Sequence, residues 1–105
     1  MSEQAAGAPV EFEFQVPAEL QAGAYANTLS AWHTPYEFTL DFAAMQPPEQ
    51  DEAGVTRVPC LVTARVKIPV TVMFDVLRAL NQIMTQYENV FGEIQRPEPR
   101  QAGGE

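Results

Sequence analysis

The feature that most constrains the fold is a C-terminal helical segment, residues 69–91, whose apolar face is wider than one small domain can bury. Six apolar side chains in it recur at alternating spacings of four and three residues, which predicts one continuous seam along a helix. This seam consists of Met73, Leu77, Leu80, Met84, Tyr87 and Phe91. A second column recurs every seven residues beside the seam and consists of Val76, Ile83 and Val90. Pro69 fits the first helical position, and Gly92 fits the position after the last turn.

Four segments before the helix have the alternating pattern of half-buried strands. They are residues 10–16, 24–33, 36–45 and 60–68. The first alternates most regularly, with apolar side chains at every second position. We therefore predict an α+β fold, a four-stranded and mostly antiparallel sheet followed by one long C-terminal helix packed on one face.

Charges on the outward faces of these strands complement one another. The third predicted strand carries Glu37 and Asp41, and the fourth carries Arg65 and Lys67. Antiparallel pairing of these two strands would set the acids opposite the bases, and such cross-strand pairs contribute about 0.2–1 kcal/mol each. We read these charges as a solvated and partly paired sheet face rather than a carboxylate active site.

The rest of the chain lacks hydrophobic periodicity. Residues 1–8 and 95–105 are small, polar or rich in Pro and Gly, and they predict disordered ends. Residues 46–59 predict a flexible acidic loop inside one domain that spans residues 9–94.

The width of the helical face predicts self-association. One helix on a four-stranded sheet buries a single stripe, and exposing several large apolar side chains costs about 1.5–3 kcal/mol each. We expect the seam to pack on the sheet, and Val76, Ile83 and Val90 to contact a second copy of the chain. The alternative is that the connector 17–23 or a strongly curled sheet covers the remainder.

Composition limits the classes of partner. The formal net charge is −8, and the six basic residues are scattered, so we expect neither a nucleic-acid partner nor a membrane partner. The chain has one cysteine, Cys60, which allows no internal disulfide and fits a reducing compartment. We expect a cytoplasmic location.

No catalytic, cofactor-binding or metal-binding signature is evident. His33 is the only histidine, and with a single cysteine the chain offers no set of zinc ligands. One enzymatic alternative remains, a hydrolase in which His33 acts as a general base oriented by Glu37 or Asp41. A structural role for His33 in a turn is the simpler interpretation.

The polar side of the helix has an unusual composition. It is rich in amides and poor in the Glu and Lys that exposed helices carry. We call this side the amide stripe; its candidate partner-binding residues are Arg78, Gln82, Gln86 and Asn89. The alternative is an ordinary exposed surface.

Several short motifs together resemble an uncharacterised family of bacterial and archaeal proteins, the domain of unknown function 3467. The motifs are Tyr25-Ala26-Asn27, His33-Thr34-Pro35, Glu37-Phe38, Leu40-Asp41-Phe42, Pro69, Tyr87-Glu88 and Phe91-Gly92-Glu93-Ile94. The resemblance covers residues 24–94 and departs from the family pattern at Val70-Thr71-Val72. It implies a compact domain of strands followed by a helix, and it implies no reaction, cofactor or catalytic residue.

These observations predict a small cytoplasmic, non-enzymatic protein-interaction or assembly module that acts as a homo-oligomer and binds another protein. The alternative is a holdase chaperone, because acidic charge and strands followed by a long helix also look like the layout of the export chaperone SecB.

Overall fold

The computed structural model describes residues 7–97 of the chain. Five strands precede one helix: β1 (Thr28–His33), β2 (Glu37–Met45), β3 (Glu49–Gln50), β4 (Thr56–Arg57), β5 (Cys60–Pro69) and α1 (Met73–Phe91). Short 3-10 turns occupy Ala18–Leu20 and Val70–Val72. The predicted α+β class with one long C-terminal helix is confirmed, but the strands number five in two sheets rather than four in one.

The main sheet has three strands in the order β1-β2-β5, and both pairings are antiparallel. Asp41 is opposite Arg65, as the charge pattern predicted, and Thr39 is opposite Lys67. The register shifts between Phe42 and Ala43, where β5 has one extra residue. β2 is therefore the only strand in the described part of the chain that is paired on both edges.

The first predicted strand is not a strand in the structure. Residues 10–16 have no regular secondary structure, although their alternating pattern is the most regular in the sequence. A strand requires a partner for its backbone hydrogen bonds, and no other part of residues 7–97 pairs with this segment. The pattern correctly identifies an extended segment with one apolar face, but not where that face is covered.

The α-helix begins at Met73, directly after the 3-10 turn Val70–Val72, rather than at Pro69 as predicted. Pro69 has extended backbone dihedrals, φ −62° and ψ 149°, and it ends β5 opposite Glu37. The amide of Val70 donates to the carbonyl of Tyr36 at 3.1 Å, so strand pairing extends one residue further than the sequence indicated. β-Branched residues at 70–72 also disfavour a helical start. At the other end, Gly92 stops the helix with φ +94°, as predicted.

Residues 46–59 contain the second, two-stranded sheet. β3 pairs antiparallel with β4, and the hairpin extends the β2–β5 pair through a hydrogen bond from Gln46 N to Pro59 O. Asp51 shapes the turn, because its Oδ1 accepts hydrogen bonds from the amides of Ala53 and Val55, both at 2.9 Å. The segment predicted as an acidic loop is thus a hairpin with an internal hydrogen-bond pattern.

The predicted ends of the domain lie mostly beyond the described residues. Residues 1–6 and 98–105, which belong to the predicted disordered ends, are outside them. The described remainder of those ends, residues 7–8 and 95–97, contains no helix or strand.

The described part of the chain buries almost no apolar side chain. Most large apolar side chains of α1 are at least 50% exposed. Among the described residues, Ala43 is the only apolar residue that is fully buried. A single chain therefore has almost no hydrophobic core.

Candidate interaction surface

One face of the sheet is closed within the chain by polar and charged side chains. Residues directly opposite each other across strands point to the same face, so Trp32, Thr39 and Lys67 form a row across β1, β2 and β5. Lys67 Nζ donates to Thr39 Oγ1 at 3.1 Å and lies 5.1 Å from the centre of the Trp32 ring. Thr39 is only 1% exposed beneath them. We call this the polar face.

Asp41 and Arg65 extend the polar face by one row. Arg65 donates from Nε to Asp41 Oδ1 at 2.6 Å and from Nη2 to Asp41 Oδ2 at 2.8 Å. These hydrogen bonds, with the positive charges of Arg65 and Lys67, hold the pKa of Asp41 below its ordinary value of 3.8, against the opposing effect of desolvation. Arg65 thus provides hydrogen-bond donors to both carboxylate oxygens on the central strand, and the pair favours the observed register of β2 against β5.

The opposite face of the sheet is apolar and open, and it lines a groove of about 390 Å³ with the start of the helix. All the residues that line the groove are apolar. They are Leu29, Leu40, Phe42, Val66 and Ile68 from the sheet and Met73, Val76, Leu77 and Leu80 from α1. Among residues 7–97, no other element lines this groove. We call these nine residues the apolar groove.

The helix follows the sheet only over its first turns. Of the predicted helix–sheet core, Met73, Leu77 and Leu80 line the apolar groove, whereas Met84, Tyr87 and Phe91 do not. The last three side chains are between 50% and 71% exposed, although the rings of Tyr87 and Phe91 lie 4.9 Å apart. The C-terminal half of the seam is therefore an unpartnered apolar surface.

The column that was predicted to contact a second copy divides in the same way. Val76 lines the apolar groove beside Leu77. Ile83 and Val90 are 57% and 73% exposed, and they continue the apolar surface along the helix. Seam and column therefore form one broad face on a helix that projects from its own sheet.

The amide stripe lies in solvent. The described side chains of Arg78, Gln82, Gln86 and Asn89 are all exposed. Arg78 Nη1 donates to Asp75 Oδ1 at 3.0 Å, one helical turn earlier. This leaves Gln82, Gln86 and Asn89 as neighbouring exposed amides on one side of α1.

His33 is the last residue of β1, directly before the turn to β2, and it is separated from the carboxylates that a general base would need. It is opposite Phe38, so it lies on the apolar side of the sheet, whereas the neighbouring Glu37 points to the polar face with Asp41. The Nδ1 atom of His33 lies 3.2 Å from the carbonyl oxygen of Thr34. Thr34 Oγ1 in turn accepts hydrogen bonds from the amides of Tyr36 and Glu37 at 3.1 and 3.2 Å.

Residues 7–97 contain neither a metal-binding cluster nor a membrane-spanning helix. Within residues 7–97, no three His, Cys, Asp or Glu side chains come together as they would in a metal site. In the same part of the chain, no helix has the length and apolar character needed to cross a membrane.

Comparisons with known proteins give one match. A family model described as a protein of unknown function (DUF3467) matches residues 1–96, which includes every strand and the helix. No curated protein and no solved structure matches the chain. The architectural likeness to the chaperone SecB has no support in these comparisons.

Proposed function

Because the chain belongs to the DUF3467 family, whose description assigns no activity, we propose its function from the open surfaces: it is a homo-oligomeric, non-enzymatic module that binds another protein. One observation carries this proposal. The polar face of the sheet is closed inside a single chain, whereas the apolar groove and the apolar face of α1 are not covered by any other part of residues 7–97.

The energetics favour a second copy as the cover. A large apolar side chain gains about 1.5–3 kcal/mol on full burial, and nine such residues line the apolar groove. Most large apolar side chains of α1 are at least 50% exposed, and a stable interface needs only about 800 Å² from each partner. Val76, Ile83 and Val90 are the residues that we assign to the contact between copies.

Light scattering of the purified protein tests the oligomer. The wild-type chain should be a dimer or a higher oligomer, and Ile83→Glu should be monomeric, because it buries a charge in the interface. Gln82→Glu is the matched control, since it adds the same charge one residue away on the amide stripe, and it should keep the wild-type mass. A monomeric wild type, or an oligomeric Ile83→Glu variant, would reject this assignment.

The amide stripe is the surface that we assign to a different protein. Gln82, Gln86 and Asn89 are exposed amides that can both donate and accept hydrogen bonds. Gln82→Glu combined with Gln86→Lys should abolish co-purification of the dominant partner from the native host while the oligomer stays intact. Retention of the same partner at the wild-type level would exclude this surface.

The open groove also favours a second candidate, a holdase that binds unfolded chains. An exposed apolar groove beside an acidic surface offers binding area while it keeps the protein soluble. A holdase should suppress the aggregation of several unrelated unfolded proteins, and Leu80→Glu in the groove should remove that effect. If the protein suppresses the aggregation of none of them, the holdase hypothesis is rejected and the interaction module remains the proposed function.

The proposal includes a cytoplasmic location and no cofactor. The free thiol of Cys60 is exposed, and exposed free thiols persist best in a reducing compartment. For the enzymatic alternative, the separation of His33 from Glu37 and Asp41 across the sheet weakens the general-base hypothesis.

A further inference from the structure

Residues 10–16 form an exposed arm with one apolar and one acidic face. Every second side chain is large and apolar, with exposed fractions of 79% for Val10, 83% for Phe12, 91% for Phe14 and 58% for Val16. The alternate positions include Glu11 and Glu13. This is the pattern of a strand that lies at the edge of a sheet with one face covered. We call residues 10–16 the arm.

The outer edge of β5 is the longest unpaired strand edge among residues 7–97. β5 has ten residues and is hydrogen bonded to β2 on one side only. Long exposed edges present a row of free backbone donors and acceptors, and natural proteins cover them. The other free edge, on β1, has six residues, which is shorter than the arm.

From these two features we propose that the arm of one chain adds to the β5 edge of a second copy as an antiparallel fourth strand. The proposal rests on the self-association proposed above and identifies one of its contacts. It is a case of β-strand addition, in which backbone hydrogen bonds provide affinity and alternate side chains provide register.

Charge fixes the register. Arg65 and Lys67 point to the polar face two residues apart, which is the spacing of Glu11 and Glu13. Their side chains remain 52% and 47% exposed beside Asp41 and Glu37, so each can accept a second carboxylate. Placing Glu13 opposite Arg65 and Glu11 opposite Lys67 gives each base a second carboxylate partner.

The same register matches the apolar faces. It sets Val10 opposite Ile68, Phe12 opposite Val66 and Phe14 opposite Ala64. Val66 and Ile68 line the apolar groove, so the two phenylalanines would extend its floor by one strand. One alignment therefore satisfies the charges and the apolar side chains together.

The chain that follows the arm is held in place by hydrogen bonds. Residues 17–23 form a hydrogen-bonded turn, with Leu20 N donating to Pro17 O at 2.9 Å and Gly23 N donating to Leu20 O at 3.0 Å. Beyond it, Thr63 Oγ1 lies 2.8 Å from the carbonyl oxygen of Tyr25, which ties the next segment to β5. Among residues 7–97 the arm pairs with no strand and its apolar side chains are exposed, so the β5 edge of a second copy is the surface that we assign to it.

A designed disulfide tests the contact and its register. In a full-length Cys60→Ser background, Val10→Cys with Ile68→Cys should give a disulfide-linked dimer on a non-reducing gel after mild oxidation, because directly opposite residues have the required separation. Val10→Cys with Ala64→Cys is the matched control, since it would be linked in a parallel arrangement or in an antiparallel register shifted by four residues, but not in the proposed register. A disulfide within one chain, no disulfide, or equal linkage in the control would overturn the proposal.

A charge reversal provides a second measurement that does not depend on the engineered cysteines. Glu11→Lys with Glu13→Lys changes side chains that are exposed in the single chain, and it should raise the dissociation constant of the oligomer at least about tenfold. Glu52→Lys with Glu93→Lys makes the same change in net charge elsewhere and should leave that constant within about twofold. Equal weakening by both pairs would contradict arm addition. A wild type that is oligomeric without arm linkage would reject only the arm, whereas a monomeric wild type would reject self-association as well.

Discussion

Arg65 binds both carboxylate oxygens of Asp41 across the β2–β5 pair, at 2.6 and 2.8 Å. This ion pair belongs to a face of the sheet that the chain completes by itself. Asp41 is 7% exposed, whereas Phe42, the next residue on β2, lines the open apolar groove. The usual arrangement of a half-buried sheet, apolar inside and polar in water, is therefore reversed in the single chain.

The Asp41–Arg65 pair should make stability depend on pH in the acidic range. Because the pKa of Asp41 in the folded state lies below 3.8, the pair stabilises the fold above about pH 4 and loses its contribution as pH falls through the folded-state pKa. Asp41→Asn should lower the free energy of unfolding in urea at pH 7, and its difference from wild type should shrink towards pH 3. Asp75→Asn breaks a solvent-exposed pair with Arg78 and should change stability by no more than about 0.5 kcal/mol at either pH. An Asp41→Asn deficit that persists unchanged at pH 3 would contradict this account.

Thermal stability should depend on protein concentration. If folding is completed by a second copy, mass action stabilises the native state by about 1.4 kcal/mol for each tenfold rise in concentration. The midpoint of thermal unfolding, followed by the fluorescence of Trp32, should therefore rise by several degrees over a hundredfold range of about micromolar to sub-millimolar concentration. The Ile83→Glu variant should show no such dependence. A wild-type midpoint that stays constant over this range would mean that the single chain is stable alone.

The turn between β1 and β2 should depend on one hydroxyl group. Thr34 Oγ1 accepts hydrogen bonds from the amides of Tyr36 and Glu37 and so holds the chain reversal at Pro35. Thr34→Ala should reduce the free energy of unfolding by about 1–2 kcal/mol, because two backbone donors lose a partner. Thr34→Ser retains the hydroxyl and should cost less than half as much. Equal losses in the two variants, measured by urea unfolding, would assign the effect to the methyl group instead.

The sequence supported those parts of the fold that depend on local pattern. Alternation located most of β1, β2 and β5, the complementary charges anticipated the pairing of Asp41 with Arg65, and Gly92 marked the end of the helix. Each of these features is decided by neighbours along the chain or by one adjacent strand. The prediction of a strand at residues 10–16 was wrong for the single chain, because strand pairing is not a local property. The alternating pattern does not indicate which sheet edge would pair with the segment.

The candidate interaction surface was harder to predict from the sequence than the strands, for a related reason. The seam and the flanking column showed that α1 has more apolar face than one sheet can cover. They did not show that the helix would leave the groove after Leu80. Nor did any pattern show that Thr39 and Asp41 would be the most protected polar side chains, since their cover comes from the long side chains of Lys67, Arg65 and Trp32 on both neighbouring strands. The amide stripe was visible from composition, and its role stays a prediction.

Leu77 offers the sharpest measure of whether the apolar groove closes in solution. Its side chain is 54% exposed in the single chain, so in a monomer Leu77→Ala should cost less than about 1 kcal/mol. If a second copy closes the groove, the same substitution removes a fully buried side chain and should cost about 2–5 kcal/mol of oligomer stability. Phe74→Ala is the control, because Phe74 lies outside the groove and is 78% exposed. Equilibrium unfolding of both variants at a fixed, high protein concentration should give a large loss for Leu77→Ala and a small one for Phe74→Ala, and two small losses would show that the groove stays open.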